Sequence, residues 1–133
     1  MHYVISFESK QFDLENEERN PINPIKGKSV GDWLGNLLRK EGISVSGLDA
    51  EDWGWYSYAK YQGYKYLIGF VAHPARLENE MPEIIIQVDK RRSLFERVLG
   101  KNKLTNNDPL LSIIERHIKG IKDIVNIEVL QNA

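Results

Sequence analysis

The sequence predicts a single α+β domain over residues 1–133, in which helices pack on one face of a mainly antiparallel or mixed sheet of about five strands. Short runs alternate between apolar and polar residues, as half-buried strands do. Two longer segments place apolar residues every three or four positions, as amphipathic helices do. The length of 133 residues and the 41% hydrophobic content suit one compact core. The predicted element order is β-α-β-β-β-α-α-β.

An aromatic hairpin is predicted at the centre of the sheet. Residues 52–70 hold eight of the 13 aromatic side chains of the chain. Two alternating runs flank Gln62-Gly63, a pair that is typical of a two-residue hairpin turn. This turn would place Lys60 directly opposite Lys65, and such a like-charge pair is tolerated only in water.

The two faces of the hairpin can therefore be assigned. We expect Trp55, Ile68 and Phe70 to face the core. Tyr56 would then lie opposite Gly69 on the other side of the hairpin and cover its backbone. We define the open face as the sheet surface that points away from the helices. By strand parity it would present Val4, Ser6, Tyr56, Tyr58, Lys60, Lys65, Leu67, Val71, Ile85, Gln87, Glu128 and Leu130.

Local signals place the remaining elements. Strands are predicted over residues 2–8, 83–89 and 126–130. A first helix is predicted to begin at Ser29 and to end at Gly42. Asp32, three residues after Ser29, would form a capping-box pair with it. Gly31 and Gly35 flank its apolar stripe and would let it approach the sheet closely. Ser93 with Glu96 caps a short second helix, and Asp108-Pro109 begins the last one.

Two connecting segments are predicted to lack regular structure. Residues 11–28 are polar and contain a tandem Asn-Pro-Ile, and a residue before proline avoids the helical region. We interpret this stretch as a solvated connector. Residues 43–49 form a second connector, rich in serine and glycine.

Composition argues against several functional classes. The net charge of −1 gives no excess of basic residues for a nucleic-acid partner. A basic cluster (Lys90, Arg91, Arg92, Arg97, Lys101 and Lys103) is interpreted as a solvated charged face. The chain has no cysteine, and neither a signal peptide nor an 18-residue apolar span can be recognised. We therefore expect a cytoplasmic protein without a membrane partner.

The sequence favours a role other than catalysis. It contains no nucleophile elbow, phosphate-binding loop, dinucleotide fingerprint or zinc-protease motif. Three isolated histidines, at positions 2, 73 and 117, do not suggest a dedicated metal site. We therefore expect no catalytic residue, metal or cofactor.

The leading functional hypothesis concerns the open face, which is too apolar for a bare surface. Large apolar patches mark partner sites, and tyrosine is enriched at interfaces. The chain would then be a small interaction module, for example of the inhibitor or immunity type, that binds a protein partner or forms a homodimer. The predicted binding residues are Tyr56, Tyr58, Lys60, Lys65, Leu67, Ile85 and Gln87.

A small-molecule site remains as the alternative. Glu51 and Asp52 precede Trp53 and Trp55, and carboxylates beside indoles can serve as general acids. Together with His73, these residues would line an aromatic pocket of a binding protein or an enzyme. A cavity in which the five residues converge is the geometry that this alternative requires.

The chain also resembles a group of small bacterial proteins without an assigned activity. The resemblance lies in Glu51-Asp52-Trp53-Gly54-Trp55, in Asp32-Trp33-Leu34 and in the run from Arg91 to Arg97. It implies a stand-alone α+β domain with an acidic-Trp-Gly-Trp strand. It carries no functional residue over to this chain.

Overall fold

A computed structural model describes residues 2–132 and confirms the α+β class. Seven strands form one sheet, and three helices accompany it. The strands are β1 (His2–Ser9), β2 (Ser44–Val45), β3 (Asp49–Glu51), β4 (Gly54–Tyr61), β5 (Tyr64–His73), β6 (Glu83–Arg91) and β7 (Ile124–Asn132). The helices are α1 (Lys28–Lys40), α2 (Leu94–Leu99) and α3 (Pro109–Lys119).

The sheet is antiparallel in every pairing that the structure describes. Its spatial order is β2-β4-β5-β6-β1-β7, and β3 also pairs with β4. The N-terminal strand β1 therefore lies between β6 and β7. This order brings residues from both ends of the chain onto one surface.

The predicted number of strands was too low. The segment over residues 43–49, interpreted as a connector, contributes β2 and the first residue of β3. Ser44 and Val45 pair with Lys60 and Ala59, so β2 extends the sheet at the edge of β4. Strands of two and three residues are too short to show an alternating pattern, and for this reason the sequence did not reveal them.

The hairpin register is confirmed. Trp55 lies opposite Phe70, and Lys60 lies opposite Lys65. Gln62 and Gly63 both have positive φ, as a type I′ turn requires. Trp55 is 3% exposed and belongs to the core with Ile68 and Phe70.

Helices α1 and α3 form the second layer. Each turns one apolar stripe inward, with Val30, Leu34 and Leu38 from α1 and Leu110, Leu111, Ile114 and Ile118 from α3. Glu41, just beyond α1, accepts a hydrogen bond from Arg116 of α3, and its Oε2 lies 3.3 Å from His117 Nε2. Tyr3 of β1 donates its hydroxyl to Glu115 of α3. Burial and this hydrogen bond raise the pKa of Tyr3.

The cap of α1 differs from the prediction. Gly27 occupies the N-cap position without a side-chain cap of its own, and Asp32 pairs with Lys28 instead. The carboxylate of Glu17 accepts hydrogen bonds from the backbone N–H of Gly27, at 2.7 Å, and of Ser29, at 3.0 Å. A side chain eleven residues before the first residue of the helix therefore satisfies free donors at its N-terminus.

The long connector is not merely solvated, because it packs on the helical side. Phe12 is buried against Phe7 and Trp33. The buried amide of Asn20 donates to the carbonyl oxygens of Glu51 and Gly54. These contacts anchor the segment away from the open face.

Within residues 2–132, no helix combines the length and the apolar character that a membrane span requires.

Candidate functional site

The open face is the sheet surface opposite α1 and α3. Its residues alternate along each strand with the buried core residues, and most of them are half-buried or exposed. Leu130, on the edge strand β7, is 66% exposed. The strand register adds further positions to the set predicted from parity, among them Glu8, Gly69, His73, Glu83, Asp89 and Arg91.

A row of aromatic rings crosses one half of the open face. The ring centroids of Trp53 and Tyr56 are 6.3 Å apart, and those of Tyr56 and Tyr58 are 5.7 Å apart in an edge-to-face arrangement. Lys65 Nζ lies 4.6 Å from the centroid of the Tyr58 ring. Edge-to-face aromatic pairs and cation–π contacts hold such side chains in place, so the row is an ordered surface.

Trp53, rather than Tyr56, covers the backbone of Gly69. A methyl carbon added at Gly69 would lie 2.8 Å from two carbon atoms of the Trp53 indole. Tyr56 is the cross-strand partner of Gly69, as predicted, but its ring turns toward Tyr58 and Trp53. Trp53 remains 40% exposed in this position.

Desolvation, followed by the nearby charge of Asp49, raises the pKa of Tyr56 above its ordinary value. The hydroxyl, like that of an ordinary tyrosine, is protonated at neutral pH and can both donate and accept a hydrogen bond.

A groove of about 270 Å³ lies beside the aromatic row. Its walls are Trp53, Leu67, Gly69, Gln87 and Asp89. It exists because Gly69 has no side chain at the middle of β5, so the indole and its neighbours surround a depression. Its lining is mixed, since the Trp53 indole, Leu67 and Gly69 lie beside the Gln87 amide and the Asp89 carboxylate.

Charge is distributed unevenly along the strands of the open face. Lys60, Lys65 and Arg91 occupy adjacent cross-strand positions at one end, which we call the basic end. Glu8 and Glu83 are directly paired at the other end, and Glu128 lies near them on β7; we call these three residues the acidic end. In the part of the chain that the structure describes, none of these six side chains forms an ion pair.

The residues of the alternative pocket do not meet in one cavity. Trp55 is in the core, where its indole N–H donates to the carbonyl of Ile25. Trp53 lies on the opposite side of the sheet, and Asp52 is exposed in the turn between β3 and β4. His73 pairs with Glu83 at the far end of β5. A larger cavity of about 450 Å³, between residues 10–15 and Pro82, is lined by none of the five.

The predicted basic cluster is divided by the structure. Lys90 is not solvated, because its Nζ lies 3.1 Å from Asp108 Oδ2 inside the protein and 3.9 Å from the centroid of the Tyr64 ring. Tyr66 donates its hydroxyl to the same carboxylate at 2.9 Å. Burial and this charge raise the pKa of Tyr66. Lys90, Tyr66 and Asp108 therefore form a buried polar network that joins β6 and β5 to the N-terminus of α3, whereas Arg91, Arg97, Lys101 and Lys103 are exposed.

The helix α2 presents a second apolar surface, which was not predicted from the sequence. The capping box of α2 is confirmed, but the helix buries none of its residues. Leu94 is 78% exposed, and Phe95 and Val98 are also exposed. Leu94, Phe95, Val98 and Leu99 are apolar in the sequence. Whether these side chains reach the core depends on the position and direction of α2, and these are set by where β6 ends.

Chemically, the open face offers aromatic contact area and charged side chains. Among residues 2–132, no three histidine, aspartate or glutamate side chains are grouped to hold a metal ion. Comparison of the chain with protein-family models, with curated proteins and with solved structures finds no match.

Proposed function

We propose that the chain is a small non-enzymatic interaction module that binds another protein chain through the open face. The observation that supports this most strongly is an apolar, aromatic sheet face that neither α1, α3 nor the connector over residues 11–28 covers. Proteins rarely leave a contiguous apolar patch of more than a few hundred Å² in water unless it serves an interaction.

The composition of the face agrees with this proposal. Tyr56 and Tyr58 provide large contact areas with polar tips, and tyrosine is enriched in the centres of interfaces. Exposed lysine, arginine and glutamate side chains lie at the two ends, which matches the polar rim that surrounds such a centre. An inhibitor or immunity-type protein and a self-associating domain would both use a surface of this kind.

The double variant Tyr56→Ala/Tyr58→Ala tests the proposal. Both side chains are only half-buried, so the fold should persist while association is lost. Association is measured by sedimentation for the protein alone and by co-purification from the native host. Lys40→Ala, an exposed change on the helical side, is the control and should associate as the wild type does. Unfolding of the double variant would instead assign the tyrosines to the core, and undiminished association would contradict the proposal.

The groove at Trp53 favours a second candidate, a small-molecule ligand that stacks on the indole. Asp89 and Gln87 would supply hydrogen bonds to a polar group of that ligand. A thermal-shift screen with metabolites and nucleotides tests this candidate, with Trp53→Ala as the variant that should lose any stabilisation. Equal stabilisation of both proteins by a ligand would exclude the groove.

A further inference from the structure

We propose that the partner of the open face is a second copy of this chain, packed face to face with its strands reversed. The two copies would be related by a twofold axis that lies between the sheets and runs across the strands. The inference rests on the proposed function and adds the identity of the partner and the geometry of the complex.

The positions on β6 define the centre of this arrangement. Glu83 and Arg91 lie at opposite ends of β6, eight residues or roughly 26 Å apart, and both are exposed on the open face. Gln87 is midway between them and pairs with Gly69, which is midway along β5. A twofold axis that passes across the strands at Gln87 and Gly69 places the basic end of one copy over the acidic end of the other.

The opposite charges at the two ends of the open face favour this orientation of the two copies. Reversing the strands places the Arg91 side chains over the Glu83 side chains of the other copy, twice in each dimer. An axis parallel to the strands would instead place basic end on basic end. An isologous interface requires a self-complementary surface, and a face with opposite charges at its two ends meets that requirement.

The like-charge pairs within one copy point to the same partner. Lys60 lies opposite Lys65, and Glu8 lies opposite Glu83. Pairs of this kind weaken a sheet when nothing neutralises them. In the reversed arrangement, Glu83 of the second copy lies over Arg91, which neighbours Lys65, and Arg91 of the second copy lies over Glu83, which neighbours Glu8. The Arg91–Glu83 contact therefore adds one opposite charge beside each like-charge pair.

The size of the face suits a modest dimer. Five strands spaced about 4.8 Å apart, over eight residues of length, present a footprint of roughly 600 Å² in each copy. Two copies would bury about 1,200 Å², which is at the lower limit of stable protein interfaces. Half-buried apolar side chains, among them Leu67, Val71 and Ile85, occupy the middle. We therefore expect a concentration-dependent dimer that high salt weakens, because its ion pairs are screened.

Reversal of the two end charges tests the geometry. Arg91→Glu alone and Glu83→Arg alone should each weaken the dimer by about tenfold or more in sedimentation velocity, because like charges then face each other twice. Neither variant should lose monomer stability, since each removes a like-charge neighbour within its own sheet. An equimolar mixture of the two variants should form a heterodimer as tight as the wild-type dimer.

The outcomes separate this inference from the function on which it rests. A wild-type protein that stays monomeric at high micromolar concentration overturns the inference. If Tyr56→Ala/Tyr58→Ala then abolishes capture of another protein, the proposed function survives. A dimer that is unaffected by the charge variants overturns the geometry, and one that also tolerates the tyrosine changes overturns both proposals. Should a charge reversal prevent folding, Arg91→Gln and Glu83→Gln replace it, and each should weaken the dimer at low salt.

Discussion

The indole of Trp53 rests directly on Gly69, at a distance that leaves no room for a side chain there. A methyl carbon at Gly69 would lie 2.8 Å from two indole carbon atoms, which is closer than a Cβ atom can stably approach. The absence of one side chain therefore fixes the position of an exposed tryptophan and shapes the adjacent groove.

Gly69→Ala should displace Trp53 without unfolding the sheet. The indole can swing into water, so the free energy of unfolding should change by less than about 1 kcal/mol. Acrylamide quenching of tryptophan fluorescence should rise, and self-association should weaken. Gly47→Ala is the matched control, because no atom lies within 4 Å of the added methyl carbon. Unchanged quenching in Gly69→Ala would show that the indole does not lie on β5.

Removal of the Glu17 carboxylate should destabilise α1. Gly27 and Ser29 donate backbone N–H groups to it, and the Ser29 hydroxyl donates to it at 2.6 Å. Loss of a helix cap costs about 0.5–2 kcal/mol, and Glu17→Ala should fall in the upper half of that range. Urea denaturation measures the effect. Glu15→Ala, an exposed change in the same segment, should leave stability unaltered, and equal stability of the two variants would contradict this assignment.

Two glycines of α1 should respond oppositely to alanine. A methyl carbon at Gly31 would lie 2.6 Å from a Leu48 side-chain carbon and 3.1 Å from the Phe70 ring, whereas at Gly35 the nearest atom is an Arg39 nitrogen at 3.4 Å. Gly35→Ala should stabilise the protein by up to about 1 kcal/mol through helix propensity. Gly31→Ala should destabilise it by about 1 kcal/mol, because overpacking exceeds that gain. Thermal unfolding that shows both variants to be more stable than the wild type would contradict the close approach of α1 to the sheet.

The contact between α1 and α3 should depend on pH. The hydrogen bond from Arg116, more than the nearby His117, lowers the pKa of Glu41 below its ordinary value of 4.5. A carboxylate whose folded pKa is lowered stabilises the protein above the unfolded pKa, and this contribution disappears as the pH falls through the folded value. Glu41→Gln should therefore lower stability slightly at pH 7, with a difference from wild type that shrinks as the pH falls below 4.5. Glu78→Gln, in an exposed loop, should show no such difference, and a Glu41→Gln difference that does not shrink as the pH falls would contradict the ion-pair account.

Local patterns predicted much of the fold. The alternation of residues 54–71, together with the Lys60–Lys65 argument, gave the correct hairpin register and the correct buried face. The caps at Ser93 and Asp108 were visible because each acts within three residues of itself. Gly31 was correctly expected to allow close packing, whereas the atoms nearest to a methyl carbon added at Gly35 belong to the side chain of Arg39, at 3.4 Å and beyond.

Features that depend on distant partners could not be predicted. Glu17 caps a helix that begins eleven residues later, and Lys90 is buried by Asp108, eighteen residues further along the chain. The charge separation on the open face needs the order β5-β6-β1-β7, which no local pattern encodes. The aromatic surface was expected from sequence, but its acidic end became apparent only when Glu8 and Glu83 were brought together. Its role in binding remains a prediction.

A single cysteine introduced at Gln87 tests the central claim most directly. The chain has no cysteine, so one substitution provides one thiol. Sheets packed face to face lie roughly 10 Å apart, within reach of a short bis-maleimide crosslinker, and Gln87 lies on the proposed twofold axis. Gln87→Cys should become a covalent dimer in high yield, whereas Lys40→Cys on α1 should remain monomeric. Equal yields from the two variants, or no crosslinking of Gln87→Cys, would contradict the pairing of two open faces.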